Sequence, residues 1–543
     1  MKVWSWCGIA LGLCWMAGGS PALVLAQSNC EKLKELKLAD TTITSAESVA
    51  AGPFKLPPGL VPSIDVPAFC RIRAEIKPTA DSLIKMEVWM PAEGWNEKFE
   101  QVGSGGLAGS INQLSLAMAL KRGFAAAGTD DGHEGTGTDG TWALGHPEKV
   151  KDFGYRAVHE TSEKSKKVIA AFYQKPPSFA YFNGCSEGGR EAMMAAQRYP
   201  EDFNGILAGA PALYWTELMA AFAWNAQALS DPASFINEPK RAAVETAALA
   251  ACGRQNKVTD KFIKDPLQCH FDPAVLLCKE GDGDSCLTQK QVDALKKVYA
   301  GPKDSSGRQL SAGYEPGAEA EPGLPGISFQ SYIFGPGPGA TLDAIFSGSF
   351  YSNIVFEDAK WNVSQFNFDK DIATTEAKVG AILNASNPDL RAFRSRGGKL
   401  VVYHGWNDGS PPPLHSVDYY QRVTEKMGGV EKTREFYRLF MVPGMMHCGS
   451  GAGPNLFGNA MDLRPIADPE HDIFMALQKW VEKGAAPEHI VATKYVEDDR
   501  SKGKVMSRPV CAYPQQATWD GKGDLAEAGS WACEAAKQDR NRE

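Results

Sequence analysis

Three side chains that lie far apart in the sequence have the types needed to activate a nucleophile. Ser186 lies in the frame GCSEG at 184–188, whose glycines permit a tight strand-to-helix turn that exposes the hydroxyl. A serine hydroxyl attacks an ester poorly at neutral pH, so it needs a base and a carboxylate that orients the base. Asp408 follows the apolar segment KLVVYHGWN, and His447 follows EFYRLFMVPGMM. The order serine, aspartate, histidine, with each residue at the end of a predicted strand, is typical of a serine hydrolase.

Other residues could compete for the acid and base positions. His404 also ends a predicted strand, but its place there indicates packing within the sheet. Asp418 is the alternative acid, although it lies inside a helical pattern. His133, in DDGHEG, could line the site or form structural hydrogen bonds, and His415 follows three prolines in a loop expected at the surface or the pocket rim. We therefore retain the first three residues as the predicted triad.

A serine hydrolase also needs two N–H groups that stabilise the negative oxygen of the tetrahedral intermediate. We expect one to be the backbone N–H of Glu187, directly after the nucleophile. The second should come from the loop GSGGLAG at 103–109, where missing side chains let the backbone approach a substrate. Gly106 is favoured and Gly105 is the alternative. A plain flexible turn is the other interpretation of this loop.

The elements around these residues predict an α/β fold. Strand patterns such as LIKMEVWMP, GFAAAGT, SFAYFNG and KLVVYHG alternate with helical patterns, as in a parallel sheet covered by helices. The alternation fails between about 212 and 390, which contains four cysteines and the irregular runs GYEPGAEAEPGLPG and FGPGPGA. We therefore predict one α/β domain formed by 27–211 and 391–543, with an inserted domain at 212–390.

Charge and the N-terminal segment limit the partners and the compartment. The chain of 543 residues has a net charge of −8 and no basic block, which argues against nucleic acid or anionic membranes as partners. A basic start, an apolar run and a small-residue site ending at Ala26 predict a signal peptide at 1–26. A membrane anchor is the alternative, but the apolar run is short. We expect a secreted or periplasmic protein.

Cysteine usage points to the same compartment. Of twelve cysteines, Cys7 and Cys14 lie in the predicted signal peptide, and ten remain. An even number in an exported chain predicts disulfides. A zinc site is the weaker alternative because no CxxC pair occurs. Spacing alone leaves the pairing open.

Longer segments resemble a known family. GCSEGGREAMMAAQRYPEDFNGILAGAPA, KLVVYHGWNDGSPPP and VPGMMHCGSG are similar to the tannase and feruloyl esterase family, as are WNEKFEQVGSGGLAGS and HPEKVKDFGYRAVHETSEKSKKVIAAFY. The resemblance covers nearly the whole mature chain. It implies an α/β-hydrolase sheet with a large inserted lid, and it places the triad on Ser186, Asp408 and His447. It also implies five disulfides: Cys185–Cys448, Cys30–Cys70, Cys252–Cys269, Cys278–Cys286 and Cys511–Cys533.

The family usually has a calcium loop in the lid, which corresponds to CGRQNKVTDKFIKDP at 252–266. The resemblance places acidic ligands at three positions and carbonyl ligands at two more: Gly253, Asn256 and Asp260, and Val258 and Phe262. Two of the three carboxylates are missing, although calcium favours carboxylate oxygens. The loop is therefore either a weakened calcium site or a metal-free loop closed by its disulfide. No other cofactor is expected.

The resemblance also implies the substrates, since family members cleave esters of aromatic acids such as gallates, hydroxycinnamates and a terephthalate mono-ester. We expect lid aromatics to contact the acyl group, with a lid core as the alternative explanation for them: Phe346, Phe350, Tyr351, Phe356 and Trp361. Ser349, Ser352 and Asn353 could bind phenolic hydroxyls. No arginine occurs between Arg308 and Arg391, which argues against a second substrate carboxylate.

The sequence therefore predicts a secreted serine carboxylic ester hydrolase that acts on small aromatic esters, feruloyl-esterase-like. A tannase-like gallate esterase is the first alternative, and a mono(hydroxyethyl) terephthalate hydrolase follows it. A serine peptidase or acyltransferase on the same fold would need the same triad, and a non-catalytic binding module is the remaining class. The oligomeric state is open.

Overall fold

A computed structural model describes residues 1, 29–59, 61–255, 258–323 and 326–535. The predicted signal peptide, apart from Met1, lies outside the described residues, and so does Asn256 of the predicted calcium loop. The cysteines Cys7 and Cys14 lie there as well.

The centre of the molecule is a nine-stranded sheet. In chain order its strands are β1 Thr41–Val49, β2 Phe69–Ile76, β3 Ile84–Pro91, β4 Lys98–Val102, β5 Ala125–Thr129, β6 Phe179–Cys185, β7 Gly205–Gly209, β8 Lys399–Gly405 and β9 Tyr437–Val442. Their spatial order is β1-β2-β3-β5-β4-β6-β7-β8-β9. The pairs β1/β2, β2/β3 and β3/β5 are antiparallel, and the six strands from β5 to β9 in that order are parallel. The predicted α/β-hydrolase sheet is therefore present.

Helices cover both faces of this sheet. Because both faces are buried, its strands have apolar residues on both sides. The α-helices in chain order are α1 Gln113–Lys121, α2 Pro147–Lys151, α3 Ala157–Tyr173, α4 Glu187–Arg198, α5 Trp215–Ala228, α6 Glu238–Cys252, α7 Gln289–Ala300, α8 Leu342–Phe350, α9 Asp371–Thr375, α10 Ala381–Leu383, α11 Arg391–Ser395, α12 Pro413–Met427, α13 Val430–Arg434 and α14 Ile473–Lys483. Helices α3, α4 and α12 pack on one face, and α1 and α14 pack on the other.

A third apolar cluster lies away from the sheet and is formed mainly by residues between 212 and 383. Its helices include α8, which begins two residues after the predicted irregular run FGPGPGA. The helix begins because the Thr341 side chain accepts a hydrogen bond from the Ala344 N–H at 3.0 Å. Beyond it the chain continues as the π-helical turn Tyr351–Val355.

Smaller sheets and disulfides complete the fold. Among the described residues, four two-stranded antiparallel sheets pair Gly52–Lys55 with Ser63–Val66, Arg254–Gln255 with Val258–Thr259, His489–Tyr495 with Lys504–Cys511, and Gln515–Trp519 with Trp531–Ala535. Within the part of the chain that the structure describes, five disulfides have the pairing that the family resemblance implies. None of the described helices has both the length and the apolar character required to cross a membrane.

Candidate active site

Ser186 lies on a sharp turn between the end of β6 and the start of α4. Its φ is +65° and its ψ −119°, a conformation that non-glycine residues rarely adopt and that occurs at functional sites. The Ser186 N–H donates to the Gly209 carbonyl at 2.9 Å and so ties the turn to β7. A Cβ atom at Gly184 would lie 2.5 Å from the Gly188 carbonyl oxygen, so only glycine fits beside the serine. The turn presents the hydroxyl above the parallel strands.

His447 and Asp408 meet at the neighbouring strand ends. Nδ1 of His447 lies 2.8 Å from Oδ2 of Asp408, and both side chains are buried. Burial alone would raise the pKa of Asp408, but the charges and hydrogen bonds of His447 and His404 outweigh it and lower that pKa to about 2. An ionised Asp408 accepts from Nδ1–H, which leaves Nε2 of His447 free to accept a proton. His447 and Ser186 line one cleft.

His404 contacts the acid rather than only packing within the sheet. Its Nε2 lies 3.1 Å from Oδ2 of Asp408 and 3.2 Å from the Pro411 carbonyl oxygen. Because a carbonyl only accepts, Nε2 carries a proton and donates to both oxygens. Nδ1 of His404 lies 2.8 Å from the Ser416 hydroxyl. His404 therefore positions Asp408, a role that the sequence expectation missed although the two residues are four apart in HGWND.

The glycine-rich loop lies beside the nucleophile. Gly105 and Gly106 line the same cleft as Ser186. Gly106 has a φ of +62°, and a Cβ there would lie 2.3 Å from the Gly137 carbonyl oxygen. Within the described residues the backbone N–H groups of Gly106 and Glu187 have no hydrogen-bond acceptor. These free donors are available for an oxyanion.

Two buried acids, Asp131 and Glu191, contact Ser104 of this loop. The Ser104 hydroxyl lies 2.6 Å from Oδ2 of Asp131 and 2.7 Å from Oε1 of Glu191, and the Ser104 N–H donates to Glu191 at 3.1 Å. One hydroxyl hydrogen cannot serve two carboxylates, so one of the two acids is protonated. Burial raises the pKa of Asp131 to about 7 and that of Glu191 well above its usual range.

A buried ion pair follows the nucleophile directly. Burial raises the pKa of Glu187 to about 7, while the nearby Arg190 charge opposes that rise. The Nε of Arg190 donates to Glu187 at 2.8 Å, and its other nitrogens donate to the Gly154 and Phe153 carbonyls. This network fixes the first turn of α4 directly after the nucleophile.

The Cys185–Cys448 disulfide joins the residue before the nucleophile to the residue after the base. The two Cα atoms are 6.0 Å apart although 263 positions separate them in the sequence. Cys448 has a φ of +62°, and its carbonyl accepts a hydrogen bond from Asn459 at 2.8 Å. Both cysteines line the cleft. The bridge therefore holds together the two loops that carry Ser186 and His447.

The cleft at Ser186 has a volume of about 380 Å³. The described residues of the inserted segment that form its wall are Gly326, Ile327 and Tyr332. The Tyr332 ring lies edge-on to the His447 ring, with 5.6 Å between the ring centroids. The backbone N–H of His447 donates to the Ile327 carbonyl at 3.3 Å. The inserted segment thus contacts the base directly.

The five aromatics expected to contact the acyl group lie elsewhere and need correction. All five belong to the apolar cluster of the inserted segment: Phe346, Phe350, Tyr351, Phe356 and Trp361. None is among the residues that line this cleft, and Phe346 packs behind Tyr332 at 6.3 Å. The Ser349 hydroxyl accepts a hydrogen bond from the Gly140 N–H at 2.8 Å, so its role is also structural. An inserted segment of this size needs its own core, and these rings form it.

The competing residues also have structural partners. His133 lies 2.7 Å from the Leu107 carbonyl and stacks on Trp142, and burial lowers its pKa to about 4, so it supports the glycine-rich loop as a neutral ring. His415 was expected at the surface or the pocket rim but is buried, 2.9 Å from the Ser311 hydroxyl. Asp418 accepts a hydrogen bond from the hydroxyl of Tyr214, which lies in the loop after β7, rather than from His447.

The predicted calcium loop does not fit a calcium ion. Asp260, the one acid at the three positions where the resemblance places acidic ligands, accepts two hydrogen bonds from Arg508, at 2.7 and 2.8 Å. A Cβ atom at Gly253 would lie 2.7 Å from the Leu249 carbonyl oxygen, so the backbone there is closely packed. Val258 and Phe262 are buried apolar residues, and Arg508 lies over the Phe262 ring. A guanidinium thus supplies the positive charge that a calcium ion would bring.

Comparison with known proteins places these features in context. The family model described as tannase and feruloyl esterase matches residues 70–534. An uncharacterized esterase of Xanthomonas campestris pv. campestris is 39% identical over 534 residues, covering 94% of this chain and 91% of that protein. A protein of Aspergillus terreus named probable feruloyl esterase B-2 is 31% identical over 468 residues, covering 86% of each chain.

Solved structures show the same architecture. Feruloyl esterase B from Aspergillus oryzae superposes with a TM-score of 0.85 at 28% identity, covering 94% of this chain and all of the other. Tannin acyl hydrolase from Aspergillus niger superposes with a TM-score of 0.73 at 22% identity, covering 95% of each. At that identity the second likeness concerns the fold alone.

Proposed function

The chain belongs to the tannase and feruloyl esterase family and is a carboxylic ester hydrolase, and from this premise we propose that it is an exported enzyme that cleaves esters of hydroxycinnamic acids. The single observation that supports the site best is the 2.8 Å contact between Asp408 and His447, in one cleft with Ser186. The even number of cysteines and the predicted signal peptide support export.

Acylation begins when the Ser186 hydroxyl oxygen attacks the ester carbonyl carbon and Nε2 of His447 takes the hydroxyl proton. Such general-base catalysis contributes about 10²- to 10⁴-fold. The carbonyl oxygen becomes negative and accepts hydrogen bonds from the N–H groups of Gly106 and Glu187. The C–O bond to the alcohol then breaks, and His447 gives its proton to the departing alcohol oxygen.

Deacylation repeats these steps with water. A water molecule attacks the acyl carbon while Nε2 of His447 takes one of its protons. The second tetrahedral intermediate releases the carboxylic acid as the bond to the Ser186 oxygen breaks, and His447 returns the proton to that oxygen. Asp408 stays ionised throughout and stabilises the imidazolium form of His447.

The aromatic acyl group is assigned to the wall formed by Tyr332 and Ile327. A ring beside Tyr332 would place its ester carbonyl next to His447, because the Tyr332 and His447 rings are already in edge contact. Aromatic pairs favour edge-to-face or offset arrangements and contribute about 0.5–1.5 kcal/mol beyond area burial.

The experiment is a substrate panel with matched alcohols. Turnover of methyl ferulate, methyl gallate and a feruloyl anilide is measured on the purified enzyme. We expect the highest kcat/KM for methyl ferulate. Faster cleavage of methyl gallate would favour a tannase-like specificity, and dominance of the anilide would overturn the ester assignment in favour of a peptidase.

A further inference from the structure

Ser104 is the residue through which the glycine-rich loop contacts α4. Its carbonyl accepts a hydrogen bond from the Gly188 N–H at 3.1 Å, and its own N–H donates to Oε2 of Glu191 at 3.1 Å. The two backbones also lie close together, because a Cβ atom at Gly103 would lie 2.5 Å from the Gly188 Cα atom. The loop therefore rests directly on the first turns of α4.

This contact sets the spacing of the two oxyanion donors. One donor is the N–H of Gly106, two residues after Ser104, and the other is the N–H of Glu187, the residue before Gly188. The donors belong to different elements, so their spacing depends on how the loop lies on the helix. Loss of one such donor lowers kcat by about 10²- to 10³-fold, because the donors must be in place before the negative oxygen forms. A residue that fixes Ser104 can therefore act on the reaction from outside the cleft.

The hydrogen bonds of the Ser104 hydroxyl require an acid proton. The hydroxyl lies 2.6 Å from Oδ2 of Asp131 and 2.7 Å from Oε1 of Glu191, but it has one hydrogen to donate. Oε2 of Glu191 already accepts from the Ser104 N–H. A proton on Oε1 of Glu191 therefore completes a chain in which Oε1–H donates to the hydroxyl and the hydroxyl donates to Asp131.

The surrounding charges favour Glu191 as the acid that keeps this proton. Burial and the negative charge of Asp131 raise the pKa of Glu191 well above its usual range, and the Arg190 charge opposes that rise. Burial raises the pKa of Asp131 to about 7; its hydrogen bonds oppose the rise, and the charges of Glu187 and Asp130 add to it. As pH increases, Asp131 therefore ionises first and Glu191 stays neutral.

A bound cation would be the other way to compensate these charges. One oxygen from each of Asp131, Glu187 and Glu191 lies within 4.8 Å of the others. Glu187, however, already accepts from Nε of Arg190 at 2.8 Å. The Ser104 hydroxyl lies between the other two acids, within hydrogen-bond distance of both. One guanidinium and one proton are therefore sufficient for the three carboxyl groups.

We propose that Glu191, as a neutral carboxylic acid, is a positioning residue for the oxyanion hole, which it holds together by donating a hydrogen bond to Ser104. This rests on the proposed function only for the two oxyanion donors, and it applies to any ester, because the negative oxygen forms on every substrate. Glu191 is 2% exposed and is not among the described residues that line the cleft. An ionised Glu191 would have no hydrogen for Ser104 and would repel Asp131, so the loop would no longer be fixed on α4.

The test compares variants on p-nitrophenyl acetate, an ester whose cleavage does not depend on hydroxycinnamate specificity. Glu191→Gln keeps one donor and one acceptor in the same shape, so its kcat should stay within about threefold of the wild type. Glu191→Met keeps the length of the side chain but has no donor. Its kcat should fall by about ten- to hundredfold with little change in KM. Ser104→Ala removes only the bridging hydroxyl and should lower kcat in the same way.

The pH profile adds a readout that packing alone would not change. The kcat of Glu191→Gln divided by the wild-type kcat should be near one at about pH 6 and should stay there or rise up to about pH 9, because only the wild type can lose a proton at this position. Asp131, Glu187 and Arg190 are the same in both proteins, so their titration cancels in the ratio. A ratio that falls with pH would identify the ionised acid as the active form and would overturn the proposal.

The matched control is Glu160→Gln on α3, which removes a carboxylate that pairs with Lys164 and is not among the described residues of the cleft, and it should keep the wild-type kcat. Thermal melts check the folding of every variant. Equal kcat values for Glu191→Gln and Glu191→Met, or a wild-type kcat for Ser104→Ala, would overturn the proposal. A wild-type kcat that falls on addition of EDTA would place a cation among the acids and overturn it too. Failure of the wild type on p-nitrophenyl acetate and on every other ester would instead overturn the proposed function, and this role with it.

Discussion

Nε2 of His404 lies 3.1 Å from Oδ2 of Asp408, the same oxygen that accepts a hydrogen bond from His447. Two histidines thus hold one carboxylate oxygen, while the Asp408 Oδ1 accepts from the Ser410 N–H at 2.8 Å. Among the described residues these contacts all come from N–H donors, and the Asp408 side chain is buried. The position of the base in this site therefore depends on a histidine that does not line the cleft.

This arrangement predicts that His404 acts through Asp408. His404→Phe should lower kcat by on the order of ten- to hundredfold with a small change in KM, because small displacements of a catalytic group have effects of that size. His404→Gln, which can still donate to Asp408, should recover part of the loss. Steady-state kinetics of both variants provide the measurement. Equal kcat values for the two variants would show that the hydrogen bond to Asp408 is unimportant.

The Cys185–Cys448 disulfide should affect both stability and catalysis. It closes a loop of 263 positions, which the chain-entropy model values at about 5 kcal/mol, although real bridges often contribute less. A double Cys→Ala variant should have a lower Tm and a kcat reduced by about tenfold or more. The control removes Cys278–Cys286, which spans 8 positions and does not line the cleft, and it should keep kcat. Equal kcat losses in the two variants would contradict a positioning role.

The protonated acid beside Ser104 of the glycine-rich loop predicts a pH effect on stability. Burial raises the pKa of Asp131 to about 7, so from about pH 4 to 7 the folded state binds a proton that the unfolded chain has lost. Stability from this group is therefore present at low pH and is lost as pH rises toward 7, by at most about 1.4 kcal/mol per pH unit. Asp131→Asn cannot titrate, so its Tm minus the wild-type Tm should increase between pH 5 and pH 8. A constant difference would mean that Asp131 is ionised at both pH values.

The Asp260–Arg508 pair predicts that stability is independent of calcium. Both side chains are nearly buried, so Arg508→Gln should cost about 3–5 kcal/mol by leaving Asp260 unpaired. Asp260→Asn in addition should recover part of that loss, because the uncompensated charge is removed. Adding a chelator or calcium chloride should leave the wild-type Tm unchanged. A Tm that falls on chelation would show that a metal ion stabilises this fold after all.

The sheet and the order of its functional residues could be predicted because they depend on local patterns. Short apolar strands that end in glycine-rich turns predicted the strand ends at Ser186, Asp408 and His447. The contacts of His404 and Arg508 could not be predicted, since Arg508 meets Asp260 across 248 positions and the partner of His404 depends on the turn after β8. The lid aromatics were assigned wrongly because composition cannot distinguish a pocket wall from a core.

The most direct test of the account is to trap the acyl-enzyme. The enzyme is mixed with p-nitrophenyl ferulate, quenched in acid, digested and mapped by mass spectrometry. We predict a feruloyl adduct on the peptide that contains Ser186, and in Ser186→Ala the loss of both the adduct and at least about 10⁴-fold of kcat. A feruloyl adduct on another residue, or a Ser186→Ala variant with wild-type turnover, would contradict the assignment of Ser186 as the nucleophile.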